Sequence, residues 1–333
     1  MALQYQQVVV DEATGLTQVL YGKGWKDLYM VAVWVMIWTA FREAAMTYVF
    51  IPMGRYFRVG EQKKKVKKIE TSSATATADM RTKTYLLYHS QYWSDTTYYW
   101  RDYPKTQLDA TAKWYYLIQF AFWIQQLLLA ILGIEKRRKD FLEFMIHHII
   151  TCLLIGFSYS FNLTSVGHAV LCAMDFSDIV LAACKMLKYM HKDQIADVGF
   201  VFFVITWVLS RHYYYGVICW STFVEAPKFA EMGWDPARGL YFTQRILSGF
   251  QFLLIALYIV LLFWLVMIIR VVVKVLKGGN SEDVRSEDED EEEVEAEIEE
   301  MKEAKALLKD DSIPSIDEKI RSSVATGTPV MVS

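Results

Sequence analysis

Two adjacent histidines, His147 and His148, stand inside an otherwise apolar stretch, and the following apolar stretch carries two acids, Asp175 and Asp178. A histidine oriented by a carboxylate is a general base with a fixed tautomer, and it is also a nucleophile able to accept an acyl group. Each acid at the centre of a membrane helix costs roughly 2.5 to 3.5 kcal/mol, so several ionisable groups together predict an enclosed polar site. Catalysis and transport are the functions such a site serves. The competing structural reading is a polar network joining helices, in which each hydrogen bond contributes only about 0.6 to 2 kcal/mol. On a helix His147 and His148 point about 100° apart, so one can do chemistry while the other holds structure. Asp175 and Asp178, three residues apart, are expected to share a face, with His168 two turns before Asp175 on roughly the same side.

The elements that position these residues read as membrane helices. A chain of 333 residues that is 54% hydrophobic and 15% aromatic is too apolar for an ordinary soluble domain, so the expected class is an all-α polytopic membrane protein. Crossing ~30 Å of hydrocarbon takes about 20 residues. Six runs qualify or nearly so: 28–50, 114–133, 144–161, 165–187, 198–220 and 247–273. Tyr and Trp gather at several edges, as in Trp114-Tyr115-Tyr116 and Tyr213-Tyr214-Tyr215, in the manner of interfacial belts.

Basic clusters orient these runs. Lys63-Lys64-Lys65 with Lys67-Lys68, Arg137-Arg138-Lys139, Lys185 with Lys188 and Lys192, and Arg270 with Lys274 and Lys277 all fall on the cytosolic side under the positive-inside rule. The last three clusters are separated by two runs each, which gives two out-and-back pairs. Between Lys68 and Arg137 only 114–133 is a clear span, so parity requires one more crossing. The candidate, 82–100, is rich in Tyr and Trp but holds Lys83, His89 and Asp95 and is flanked by Arg81 and Arg101. Either it is a weak or re-entrant segment, or a span is absent, and the low-complexity stretch 71–78 where such a span would begin favours absence or damage.

Three domains are expected: a soluble N-terminal segment 1–25, a transmembrane domain 26–277 and an acidic, disordered cytosolic tail 278–333, whose dense acids repel and stay solvated. Phosphorylation at Ser286, which precedes acids, would add further charge there. No removable signal peptide is evident at the start. The four cysteines, Cys152, Cys172, Cys184 and Cys219, lack C-x-x-C spacing and read as small apolar residues. With only six histidines and no repeated short His spacing, a metal site is not expected. Asn162-Leu163-Thr164 matches a glycosylation sequon, but it lies in a short turn held against the membrane and is read as chance. Arg211-His212 inside the fifth run either snorkels to an interface or joins the polar cavity. Arg137-Arg138-Lys139 could hold phosphates or simply anchor its helix to anionic lipid.

The stretch 137–190 resembles the signature of the longevity-assurance family of TLC-domain membrane proteins, the ceramide synthases. The resemblance rests on the His147-His148 pair followed by Met174-Asp175-x-Ser177-Asp178, with flanking matches YWRDYP at 99–104, WYYLIQFAFWIQQ at 114–126 and W-x-x-x-RH at 207–212. It covers roughly 26–277. It implies a TLC-type bundle and transfer of a fatty acyl group from acyl-CoA, as co-substrate, to a sphingoid base in the endoplasmic reticulum membrane, with no cofactor. His147, His148, Asp175 and Asp178 match the family's functional positions, and Arg211 and His212 match a further motif. The acidic tail looks like that of fungal members, which implies a small single-span accessory subunit and dimers. The family pattern also has a span upstream of 28–50 and a full span where this chain offers 71–100, so one or two family spans are expected to be missing or degraded.

The resulting expectation is a cavity open near the cytosolic face, where His147 or His148, oriented by Asp175 or Asp178, deprotonates the sphingoid amine or first takes the acyl group. Arg137, Arg138, Lys139, Arg211 and His212 are candidate substrate contacts. Partners are acyl-CoA, a sphingoid base and membrane lipid, with no nucleic acid. Two rivals are a non-enzymatic lipid-binding TLC-like protein and a proton-coupled transporter.

Overall fold

The computed structural model describes residues 3–10, 17–50, 95–101, 103–134, 140–189 and 193–277. Without water in the hydrocarbon, backbone amides must be satisfied within each segment, which makes the apolar runs helical. The long helices are α1 (Asp27–Ala45), which passes into a π-helical turn at Met46–Phe50, α3 (Ala110–Ile131), α4 (Phe141–Ser160), α5 (Thr164–Tyr189), α6 (Asp193–Val208) and α9 (Gln244–Leu276). Between α6 and α7 (Tyr215–Val224) lies a second π turn, Leu209–Tyr214, so the three form one continuous rod. The short helices α2 (Tyr98–Arg101) and α8 (Ala226–Phe229) are the remaining α-helices among the described residues.

All six predicted runs coincide with long helices or, for 198–220, with the α6–α7 rod. Among the described residues, five helices are long and apolar enough to cross a membrane: those at Asp27–Tyr48, Ala110–Ile131, Phe141–Ser160, Gln194–Val224 and Gln244–Leu276. The sixth, α5, carries His168, Asp175, Ser177, Asp178, Lys185 and Lys188 and is more polar. Its neighbours offset this, since it packs on α4, α6, α7 and the second π turn. Polar atoms that lipid would leave unsatisfied are thereby turned toward protein.

α1 and α3 are neighbours that run parallel. Trp34 meets Trp114 at 6.0 Å and Trp38 meets Phe122 at 5.7 Å between ring centroids, and Asp27 pairs with Lys113 at the start of both helices. The chain thus leaves α1 at one end of the bundle and enters α3 at the other, as the parity of the basic clusters demands. The candidate crossing 82–100 lies outside the described residues as far as Ser94, as do 71–78, Lys63–Lys68, Lys192 and the tail from Gly278.

One feature departs from the all-helical expectation. Residues of the N-terminal segment form an antiparallel hairpin, β1 (Gln6–Val10) with β2 (Thr17–Tyr21), and β2 pairs further with β3 (Leu108–Asp109). The fully buried Lys113 ties this hairpin down: its ammonium donates to the carbonyls of Gln4 (3.0 Å) and Gly22 (2.6 Å) and pairs with Asp27 at 2.8 Å. Asp27 also accepts from the Tyr159 hydroxyl at 2.8 Å. Lys23 donates to the Lys105 carbonyl and to Asn162 Oδ1, both at 2.9 Å, while Asn162 Nδ2 donates to the Gly239 carbonyl at 2.8 Å. The sequon asparagine is therefore buried at the α4–α5 turn and holds three segments of this end together. The YWRDYP stretch reinforces the same end: Trp100 donates to Ser221 Oγ at 2.7 Å and Tyr103 to the Phe161 carbonyl at 3.0 Å.

Candidate active site

A narrow cleft, about 490 Å³ when counted out into open solvent, is lined along α4 by His147, Thr151, Leu154, Ile155 and Ser158. Eleven residues of helix make it about 16 Å long. α5 lines the facing wall with Gly167, Val170, Met174 and Asp178, while Trp123 of α3, Arg211 of the π turn, and Phe250 and Leu257 of α9 complete it. Its character changes along its length. At one end stand His147, Asp178 and Arg211; the middle is aliphatic; at the other end the Tyr116 hydroxyl donates to Ser158, which itself donates to the Ile155 carbonyl. Gly167 permits that closure, because a Cβ there would collide with the Tyr116 and Ser158 oxygens.

The two histidines have different surroundings. His147 lines the cleft, with the rings of Trp123 and Trp264 in edge-on contact at 5.7 and 5.0 Å between centroids, and its Nδ1 has no hydrogen-bond partner among the described residues. His148 turns away: its Nδ1 lies 2.7 Å from the Phe144 carbonyl, which can only accept, so Nδ1 carries the proton. It packs between Trp123 and Phe144. Of the pair, His147 is the one aimed at the cleft.

The acids part company as well. Asp178 pairs with Arg211 at 2.6 Å, whereas the amide of Gln119 on α3 lies 3.5 Å from Asp175. The expectation of one shared face is corrected: three residues on a helix leave a 60° divergence, enough to reach different neighbours. His168 follows Asp175, since it packs on Tyr115 of α3 at 5.2 Å. Nor does either acid hydrogen-bond His147. Arg211 is fixed by more than its carboxylate, donating to Ser177 Oγ (2.8 Å) and the Met174 carbonyl (2.7 Å) and lying 4.1 Å over the Trp207 ring. The π turn carries Arg211 to the cleft and sends His212 elsewhere, toward Tyr258.

Residues 71–270 match the family model described as the TLC domain. The chain is 38% identical to the sphingosine N-acyltransferase lag1 of Schizosaccharomyces pombe, over 81% of this chain and 69% of that protein. The chain belongs to the TLC-domain family. Similar too are the ceramide synthase LAG1 of Saccharomyces cerevisiae, 34% identical over 81% of this chain and 66% of that protein, and the mouse ceramide synthase 4, 32% identical over 62% and 50%. For this TLC-domain chain the lag1 alignment also bears on the span thought lost. Its 272 positions are matched by 81% of this chain, about 270 residues, so at most a few gap positions remain within 71–270. Nothing as long as a helix is missing there relative to lag1.

Among the site residues expected of this TLC-domain protein, the cleft brings together His147, Asp178 and Arg211. His148 and Asp175 stand behind them and His212 faces α9, while Arg137, Arg138 and Lys139 lie outside the described residues. Sequence reasoning passed over Trp123 and Thr151. Thr151 had a signal, because it lies four residues after His147 on the same helix face; Trp123 had none beyond its place in an aromatic run.

Proposed function

We propose that this chain is a ceramide synthase, joining the acyl group of a fatty acyl-CoA to the amine of a sphingoid base. The observation that carries the assignment is His147 at the polar end of a long, largely apolar cleft, in a chain whose relatives are named for that reaction. The cleft separates the two needs of the chemistry. An acyl chain gains about 0.8 kcal/mol for each buried methylene, and the thioester is left beside the imidazole.

His147 acts in one of two ways. As a base, it takes the proton from the amine while nitrogen bonds to the thioester carbon. As a nucleophile, it bonds to that carbon first and passes the acyl group on. Either route ends in an amide and CoA thiol, the amine proton going to the thiolate. Asp178 serves through Arg211: their ion pair, with the Ser177 and Met174 contacts, holds the π turn against α5 so that the wall opposite His147 keeps its shape. His148 and Asp175 position the helices on either side. No cofactor is proposed.

The protein sits in the endoplasmic reticulum membrane with the tail cytosolic, the orientation that the positive clusters support. His147 then lies in the cytosolic half and the hairpin faces the lumen. A single-span accessory subunit and a dimer remain part of the proposal on the fungal resemblance. The test is N-acylation of a labelled sphingoid base by acyl-CoA in membranes of cells lacking their own ceramide synthases. Ceramide that disappears with His147→Ala supports the reading. No ceramide from well-inserted chain, or substrate uptake into vesicles without acyl transfer, defeats it.

A further inference from the structure

Buried donors without acceptors are rare, because each costs on the order of 1–3 kcal/mol. Two of them belong to residues that line the cleft together with His147: the indole Nε1–H of Trp123 and the hydroxyl of Thr151 have no hydrogen-bond partner among the described residues, and both side chains are more than nine-tenths buried. Thr151 differs from the other threonines deep within helices. Thr39, Thr206 and Thr222 all donate back to a carbonyl three or four residues earlier, the usual resting place for such a hydroxyl. Thr151 sits one turn beyond His147 on the same face, with Trp123 across the cleft at 5.7 Å from the imidazole centroid.

We infer that the Trp123 indole N–H and the Thr151 hydroxyl hold the carbonyl oxygen of the acyl thioester during transfer. The inference rests on the ceramide-synthase reading, and it holds for both routes available to His147. Whether imidazole or amine nitrogen bonds to the carbonyl carbon, the C=O electron pair moves onto oxygen. When that pair returns, the C–S bond breaks and CoA leaves as thiolate, which takes up the proton lost by the amine. A preorganised N–H and O–H at the oxygen stabilise the charged stage more than the neutral thioester, and that difference lowers the barrier. Both donors are then catalytic residues, since they touch the reacting atoms.

The test uses the full chain in the same membranes. Trp123→Phe keeps an aromatic edge against the histidines and removes the N–H; Thr151→Val keeps the shape and removes the hydroxyl. Each is expected to lower kcat on the order of 10²-fold, with KM for acyl-CoA moving much less. Thr151→Ser, which retains the donor, should restore most of the rate. A second readout separates chemistry from packing: an acyl-CoA analogue with sulfur in place of the carbonyl oxygen accepts hydrogen bonds poorly. Wild type should discriminate strongly against it, and the two variants should discriminate less. Full activity in both variants, equal loss in Thr151→Ser and Thr151→Val, or an unchanged oxygen-to-sulfur ratio would each overturn the assignment while leaving the enzyme reading intact. A wild-type chain that makes no ceramide overturns both.

Discussion

The two ends of the bundle handle most of their buried polar groups differently, although Thr164 at the hairpin end also lacks a partner among the described residues. At the hairpin end, Lys113, Asp27, Tyr159, Lys23 and Asn162 form a network in which charges and amides meet partners from distant parts of the chain. Around His147, buried atoms of Trp123, Thr151 and His147 itself have none. Full satisfaction rigidifies, and incomplete satisfaction marks places where a ligand supplies what the protein withholds. The same residue types thus build a clamp at one end and a receptive surface at the other.

The comparison breaks most visibly at His147. Replacement by Ala should lower ceramide formation by on the order of 10³-fold, while the thermal midpoint of the solubilised protein falls only by the cost of the vacated ring space beside Trp123 and Trp264, since no partnered polar atom is stranded. Lys113→Met should do the reverse. It leaves Asp27 buried without its cation, a loss of about 3–5 kcal/mol, read as a lower melting temperature with activity per folded molecule retained; the further change Asp27→Leu should recover much of the stability.

A smaller effect follows from Lys23. Burial, with the ammonium groups of Lys105 and Lys113 nearby, pushes its pKa down from 10.5 to about 7. The unfolded chain keeps that proton up to about 10.5, so between about 7 and 10.5 the unfolded state binds more protons and stability rises with pH. Below that window both states are protonated and the dependence vanishes. Melting temperatures at the two edges of the window should show the rise, and Lys23→Gln should flatten it. The smallest change is Tyr103→Phe, which removes the hydrogen bond donated to the Phe161 carbonyl and the longer one accepted from the Tyr241 N–H and should cost about 1–2 kcal/mol, with no change in KM for acyl-CoA.

The spans were legible because lipid imposes an uninterrupted apolar length, a signal that needs no knowledge of neighbours. His147, His148, Asp175 and Asp178 were legible for the complementary reason, as charges where charge is expensive. What each one faces was not. A 60° divergence sent Asp175 to α3 and Asp178 to Arg211, and an indole N–H reads the same in a belt as in a cleft wall. The hairpin could have been read from Gln6–Val10 and Thr17–Tyr21, two β-branched runs around a turn-rich stretch. Its anchorage by Lys113, across more than ninety residues of chain, could not.

The π turn at Leu209–Tyr214 makes length more critical than chemistry in this part of the rod. Removing any one residue from it would restore ordinary helical register and rotate everything on one side by about 100° relative to the other. Either Arg211 would swing out of the cleft, or Tyr215, Cys219 and Thr222, now inward and buried, would be presented to lipid. Many substitutions in the turn are survivable on this view, whereas a deletion of a single codon is equivalent to rewriting a whole helix face.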